Sequence, residues 1–528
     1  MPPLKPHRLA RLSRDREFLI KASIIISVTS IIVAFVVSLF SPSKPNLEKE
    51  MAALREIIND DSGKALPKTF ESWVFFIRTG ISMESPQTLR DCRNIKLKIE
   101  GDAGEPIEPE GISDGEAEML HSLDLGLRLS DPDSAVRRLR ALPESLKFRN
   151  EFLGDIEFTR EHYPAAQEHY LNAATLQPDS SYNRRSAVIS AWRSGDKLAL
   201  RKLLHDPLLR DEFALSEQLD LFTDARDFKG LAVAVMRYEI AEFISPSLVP
   251  ALFTGAIWFL ILMPFWQINP QRLLFSILAV AAGIISAGLT IYAVMIQERM
   301  QGFTQNLADP PLIQVVYYVA GVALREETLK LLCFLPFAIW AALRGKYLDG
   351  LILAALVGLG FAFKENILYF ENGLTSFTAW MRFLTANVLH FSLTGIAGFY
   401  LVRMLHRKFH GLESFLFSFI AVVIAHGLYN SVIAVPELIS YSPLSTIFVA
   451  AMAYQFFDPL RSQMETQGIA NRISPLGVFV LGSAFLACFL MIASAWITPF
   501  RFALGVFASG VAGLIPLAFA YISRFRDL

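Results

Sequence analysis

Apolar residues fall into long, nearly unbroken blocks in two parts of this chain, and a more polar stretch with helical spacing lies between them. A block of about 20 apolar residues is long enough to cross a bilayer as a helix. Ten spans are read on this basis, at roughly 22–40, 248–265, 273–296, 312–343, 348–370, 380–402, 415–435, 438–457, 476–497 and 500–522. A backbone in lipid must satisfy its own hydrogen bonds, so the pattern predicts an all-α polytopic helical bundle. The fourth run is over-long and is expected to tilt or break near Arg325-Glu326-Glu327, and Pro443 interrupts the eighth.

The intervening stretch divides further. Residues 1–21 are a basic N-terminus and 22–40 a retained membrane anchor. Residues 41–115 hold a smaller unit at about 47–100 and an acidic, glycine- and proline-rich linker at 101–111. Residues 116–243 are read as a helical domain. There Leu153-Gly154, Ala166, Tyr170, Ala173 and Pro178 resemble the spacing of a tetratricopeptide repeat. Its small residues let paired helices approach, and its proline ends the second helix. Residues 248–528 form the multi-span membrane domain.

Charge orients the bundle. Lys5, Arg8, Arg11, Arg14, Arg16 and Lys21 precede the first span, so the N-terminus is expected to be cytoplasmic. Alternation then places Arg272, Arg344, Lys346, Arg403, Arg407, Lys408, Arg461, Arg472, Arg524 and Arg526 on the same side, with Arg299, Arg382 and Arg501 as exceptions. Both termini are thus expected to be cytoplasmic and residues 41–247 extracytoplasmic, in a bacterial inner or plasma membrane. Composition agrees with a membrane protein: 53% of the 528 residues are hydrophobic, and mean hydropathy is +0.39. A net charge of −1 gives no electrostatic support for nucleic-acid binding. Of three cysteines, Cys333 and Cys488 lie in apolar runs, so no disulfide framework or CxxC zinc motif is expected.

Four apolar runs carry polar residues that are costly there and signal function. Glu326 and Glu327 are adjacent, and Lys330 follows at helical spacing from both, so it can pair with either. Arg325 is a second candidate counter-charge. Glu365-Asn366 lies in the next run, where the neighbouring Lys364 is expected to reach the interface or pair with Glu371. His390 follows, and then His426 with Asn430 one turn later. Measured along their spans, Glu365, His390 and His426 fall at a similar depth, which favours one site. Carboxylates and histidines in a dry site suit general-base work on water. They also suit proton relay in a transporter, or a structural ion cluster in an inactive scaffold or receptor that binds partners through the helical insert.

The four motifs in order resemble the PrsW-type intramembrane endopeptidases, relatives of the CAAX prenyl protease and bacteriocin-processing superfamily. The resemblance rests on Glu326-Glu327-Thr-Leu-Lys330, Phe361-Ala-Phe-Lys-Glu365-Asn366, His390 and His426-Gly-Leu-Tyr-Asn430, and it spans about 310–435. It implies hydrolysis of a peptide bond in a membrane-anchored protein, with a role in regulated signalling. Glu326, Glu327, Glu365, His390, His426 and Asn430 would be catalytic, and Lys330, Phe361 and Asn366 supporting. A glutamate would activate water while histidine and asparagine stabilise the oxyanion. No cofactor is favoured, because no HExxH is present. Zinc on His390, His426 and Glu365 is the alternative.

Overall fold

A computed structural model describes residues 8–40, 74, 114–128, 131–263, 270–371, 376–467 and 473–497, with scattered residues of 500–525. The unit at 47–100 apart from Val74, the linker at 101–111 and much of the tenth span lie outside the described residues. All regular structure among the described residues is helical. The chain divides into two compact units, residues 42–225 and residues 1–41 with 226–528.

The chain opens with α1 (Arg8–Leu12) and α2 (Arg16–Phe40), part of the second unit. The first unit contains α3 (Asp114–Leu127), α4 (Pro132–Ala141), α5 (Arg149–Thr159), α6 (Tyr163–Leu176), α7 (Ser181–Ser194), α8 (Lys197–His205) and α9 (Leu215–Asp224). Side chains cap several of these helices. Asp131 accepts from the Ser134 amide, Ser180 from Asn183, and Asp196 from Leu198 and Ala199. The motif residues do pack as small partners: Ala166 and Ala173 are buried, and a Cβ on Gly154 would stand 2.7 Å from the Tyr170 ring. Tyr170 and Tyr182 both donate to Asp155, at 2.8 and 2.7 Å.

The second unit continues with α10 (Phe228–Glu242), α11 (Leu248–Leu262), α12 (Pro270–Gln301) and the short α13 (Pro311–Val316). A π-helical turn, Tyr317–Ala323, leads into α14 (Leu324–Leu343). Then follow α15 (Tyr347–Glu371), α16 (Ser376–Leu384), α17 (Ala386–His406), α18 (Leu412–Ala434), a 3₁₀ turn at Pro436–Tyr441, α19 (Leu444–Thr466) and α20 (Pro475–Ile497). Six described helices are long and apolar enough to cross a membrane: Arg16–Leu39, Pro270–Glu298, Tyr347–Glu371, Thr378–His406, Leu412–Ala434 and Pro475–Trp496. The charges of α14 keep it out of that set, and α11 is shorter.

Helix α15 is the centre of the bundle, buried along most of its length and packed on α17, α12, α11 and α14. Two glycines allow this. A Cβ on Gly358 would stand 2.3 Å from the His390 carbonyl oxygen of α17, and one on Gly360 would stand 2.1 Å from the Val280 carbonyl oxygen of α12. Small residues let helix backbones approach closely where lipid supplies no hydrophobic drive. Trp258 of α11 is fully buried and donates from Nε1 to the Phe383 carbonyl at 2.7 Å. That bond fixes the α16–α17 corner from which His390 descends.

Lys364 corrects an expectation. It is buried and pairs with Glu242 and Glu239 of α10, the latter at 3.1 Å, rather than with the interface or Glu371. This explains why α10, read from sequence as the end of the helical insert, packs with the second unit. Burial pushes the Glu239 carboxyl above its ordinary pKa, and the Lys364 charge opposes that. Removing one partner of a buried ion pair costs about 3–5 kcal/mol. Lys364→Met, which strands two carboxylates, is therefore expected to lower the melting temperature clearly. Lys364→Met/Glu242→Gln should recover part of the loss. Thermal unfolding of the purified variants checks this, and a wild-type melting temperature for Lys364→Met would contradict it.

Candidate active site

The π turn Tyr317–Ala323 ends immediately before Leu324-Arg325-Glu326-Glu327. The over-long span is thus irregular close to where charge interrupts it, and π turns recur at functional sites. Arg325 donates to Gln297 of α12 at 2.8 Å, and its charge bears on Glu326 without an ion pair at contact distance. Lys330 is the counter-charge in contact with both glutamates. It is fully buried, with Nζ 2.8 Å from Glu327 Oε1 and 3.5 Å from Glu326 Oε2. The same Nζ lies 2.9 Å from His390 Nδ1 and 3.9 Å from the centre of the Phe361 ring.

Two histidine–carboxylate pairs complete the cluster. His426 Nδ1 is 2.9 Å from Glu327 Oε1, and His390 Nε2 is 3.0 Å from Glu365 Oε2. An ammonium only donates, so His390 Nδ1 must accept from Lys330 and Nε2–H must donate to Glu365. As a neutral imidazole donating from Nδ1 to Glu327, His426 keeps a lone pair on Nε2. That Nε2 faces Glu326 Oε2 at 3.8 Å. Glu326 Oε2 is buried and accepts no hydrogen bond. Of the three carboxylates, Glu327 and Glu365 each hold a histidine, and Glu326 does not.

A further layer lies toward the Glu371 end of α15. Arg382 of α16 donates to Glu365 Oε2 at 2.5 Å and to Asn366 Oδ1, and stacks 3.8 Å above the Tyr369 ring. Asn366 Nδ2 donates to Asn387 Oδ1 at 2.9 Å. Arginine has no acceptor, so this chain has one direction, and it leaves the buried Asn387 Nδ2 without an acceptor. On α17, Asn387, His390 and Thr394 share one face, and Thr394 Oγ1 reaches Glu327 Oε2 at 3.4 Å.

The structure therefore gathers Glu326, Glu327, Lys330, Phe361, Glu365, Asn366, His390 and His426. Asn430 is half-buried one turn beyond His426 and makes no hydrogen bond to the cluster. Arg382, Asn387 and Thr394 were not singled out as site residues. Arg382 did leave a signal, as an exception to the Lys/Arg asymmetry, and its ion pair with Glu365 is the reason.

Residues 270–455 match the PrsW family, described as intramembrane metalloproteases. That segment of the chain is similar to the PrsW family. No curated protein and no solved structure matches the chain. The matched PrsW segment contains every member of the cluster, together with α12, whose backbone packs on α15.

The family description raises the question of a metal. Glu326, His390 and His426 can each offer one ligand atom, all within 4.8 Å of one another. Three nitrogen and oxygen donors with one open position suit catalytic zinc. Both His390 nitrogens are engaged, however, and a buried ammonium stands against one of them. As arranged, the cluster has the right donor types but not three free ligands. Glu365, a sequence-based candidate ligand, is taken up by His390 and Arg382.

Proposed function

We propose that the protein is an intramembrane endopeptidase in which Glu326 activates water to attack a peptide carbonyl of a membrane-anchored protein. The observation that carries this reading is the pair Glu326 Oε2 and His426 Nε2, 3.8 Å apart, with the carboxylate oxygen accepting no hydrogen bond. A water admitted beside this pair when the site opens to substrate donates to both acceptors and keeps its lone pairs for the carbonyl carbon. Glu326 takes the proton as the carbon–oxygen bond forms and returns it to the leaving amine. Glu327 and Glu365 are positioning residues that hold His426 and His390. Asn430 and the free Nδ2 of Asn387 are the neutral donors available to an oxyanion. No step needs a metal in this glutamate-type reading.

The Lys/Arg asymmetry supports an extracytoplasmic position for residues 41–247 and for the Glu371 end of α15. A helical substrate is a poor target because its carbonyls are already hydrogen-bonded. Cleavage is therefore expected near the extracytoplasmic boundary, where the substrate helix frays. The helical insert would filter the substrate's extramembrane segment, in keeping with a tetratricopeptide-like role. Two results are expected. In a Cys92→Ser background, a cysteine at the exposed position 144 reacts with a membrane-impermeant reagent from outside, and deleting residues 116–225 broadens or shifts the set of single-span reporters cut. A cytoplasmic position 144 would reverse the orientation. Proton-coupled solute flux without proteolysis would favour a transporter.

A further inference from the structure

Lys330 has an environment that a metal ion would also select. Its ammonium is fully buried and surrounded by Glu327 Oε1 at 2.8 Å, His390 Nδ1 at 2.9 Å and Glu326 Oε2 at 3.5 Å, with the face of Phe361 on a further side. Two carboxylates and an imidazole lone pair are ligands for a divalent cation, and an aromatic face favours an ammonium. Two of the three groups that form the candidate metal cluster, Glu326 and His390, are thus in contact with Lys330.

We propose that the Lys330 ammonium is the built-in cation of this site and excludes a divalent ion from the Glu326–His390–His426 cluster. The inference deepens the hydrolase reading and concerns the same residues. His390 has two ring nitrogens, one held by Lys330 and one donating to Glu365. To ligate a metal through Nδ1, it would have to displace the lysine. To ligate through Nε2, it would have to give up Glu365, which Arg382 also holds. A divalent ion on the cluster would meet a fixed positive charge a few ångströms away, in surroundings that screen poorly. With the lysine in place, Glu326 and Glu327 have a counter-charge that needs no supply from solution. Without it, Glu326, Glu327 and Glu365 would lose the one cation in contact with both Glu326 and Glu327, and the excess negative charge would recruit a cation.

The test uses full-length protein in detergent, stripped with a chelator and titrated with Co²⁺. Binding is read by visible absorption and equilibrium dialysis. Wild type is expected to bind no Co²⁺ through the cluster at concentrations that saturate Lys330→Met. Lys330→Met is expected to bind one Co²⁺ at least about a hundredfold more tightly than wild type, and Lys330→Met/His426→Ala to lose that gain. Lys330→Gln, which keeps a donor to Glu327, serves as a second variant, and melting curves establish which variants are folded. Wild-type binding of one Co²⁺ that His426→Ala abolishes would overturn the proposal, whatever the variants do. So would a folded Lys330→Met or Lys330→Gln with no gain in affinity. Cleavage is not read here, so failure of this inference and failure of the protease reading remain separate results.

Discussion

Glu326→Gln is expected to lower the cleavage rate by about 10³-fold, the scale of a lost general base, while leaving the melting temperature unchanged or higher. Glu327→Gln is expected to lower both. The two adjacent carboxylates differ in what they hold. Glu327 accepts from Lys330, His426 and Thr394 and is fully buried. Neutralising it strands the Lys330 charge, and breaking a buried pair costs about 3–5 kcal/mol. Glu326 Oε2 accepts no hydrogen bond and meets Lys330 only at 3.5 Å, so an amide there breaks no hydrogen bond at that oxygen and removes one of three clustered carboxylate charges. Rates in liposomes and thermal melts in detergent measure both quantities. Equal rates for wild type and Glu326→Gln, or a melting temperature depressed equally in both variants, would contradict the division of roles.

Gly358→Ala is expected to have the second large effect, reducing cleavage per folded molecule by about 10²-fold, the penalty for displacing a catalytic group by around an ångström. A methyl group there would stand 2.3 Å from the His390 carbonyl oxygen and 2.9 Å from the Phe391 Cα. Both are backbone atoms, so helix α17 must move as a body. His390 would move with it, away from Glu365 at 3.0 Å and Lys330 at 2.9 Å. Overpacking of this kind also costs about 1–3 kcal/mol. Gly360→Ala is the control, because its methyl group would meet Val280 of α12 on the other side of α15. It is expected to lose comparable stability with a smaller loss of cleavage per folded molecule. Equal cleavage losses would show that the packing of α15 as a whole, rather than the placement of His390, sets the rate.

Much of the site was legible because charge in an apolar run is conspicuous. Glu326, Glu327, Lys330, Glu365, His390 and His426 stood out for that reason, and the structure brings all six together. What stayed hidden depended on contacts between elements far apart in sequence. Lys364 has Glu371 within helical reach, yet its partners lie more than a hundred residues away on α10. Arg382 read as an anomaly of charge placement until Glu365 explained it. Asn387 is an unremarkable amide in an apolar run, and its direction follows from a hydrogen-bond chain that begins at Arg382. Helical periodicity also does not distinguish a π turn from an α-helix, so Tyr317–Ala323 was visible only as excess length. The long apolar helices were the most legible part. Mean hydropathy does not decide the status of α14, because the residues that equip it for chemistry lower its apolar score.

The most direct test of the central claim is a comparison of protein termini. The purified protein and its Glu326→Gln variant are each reconstituted with membrane proteins extracted from cells, and newly formed ends are mapped by mass spectrometry. The account predicts new ends inside single-span proteins, close to the extracytoplasmic boundary, with wild type and none with Glu326→Gln. The same new ends from both proteins, or none from either, would contradict it.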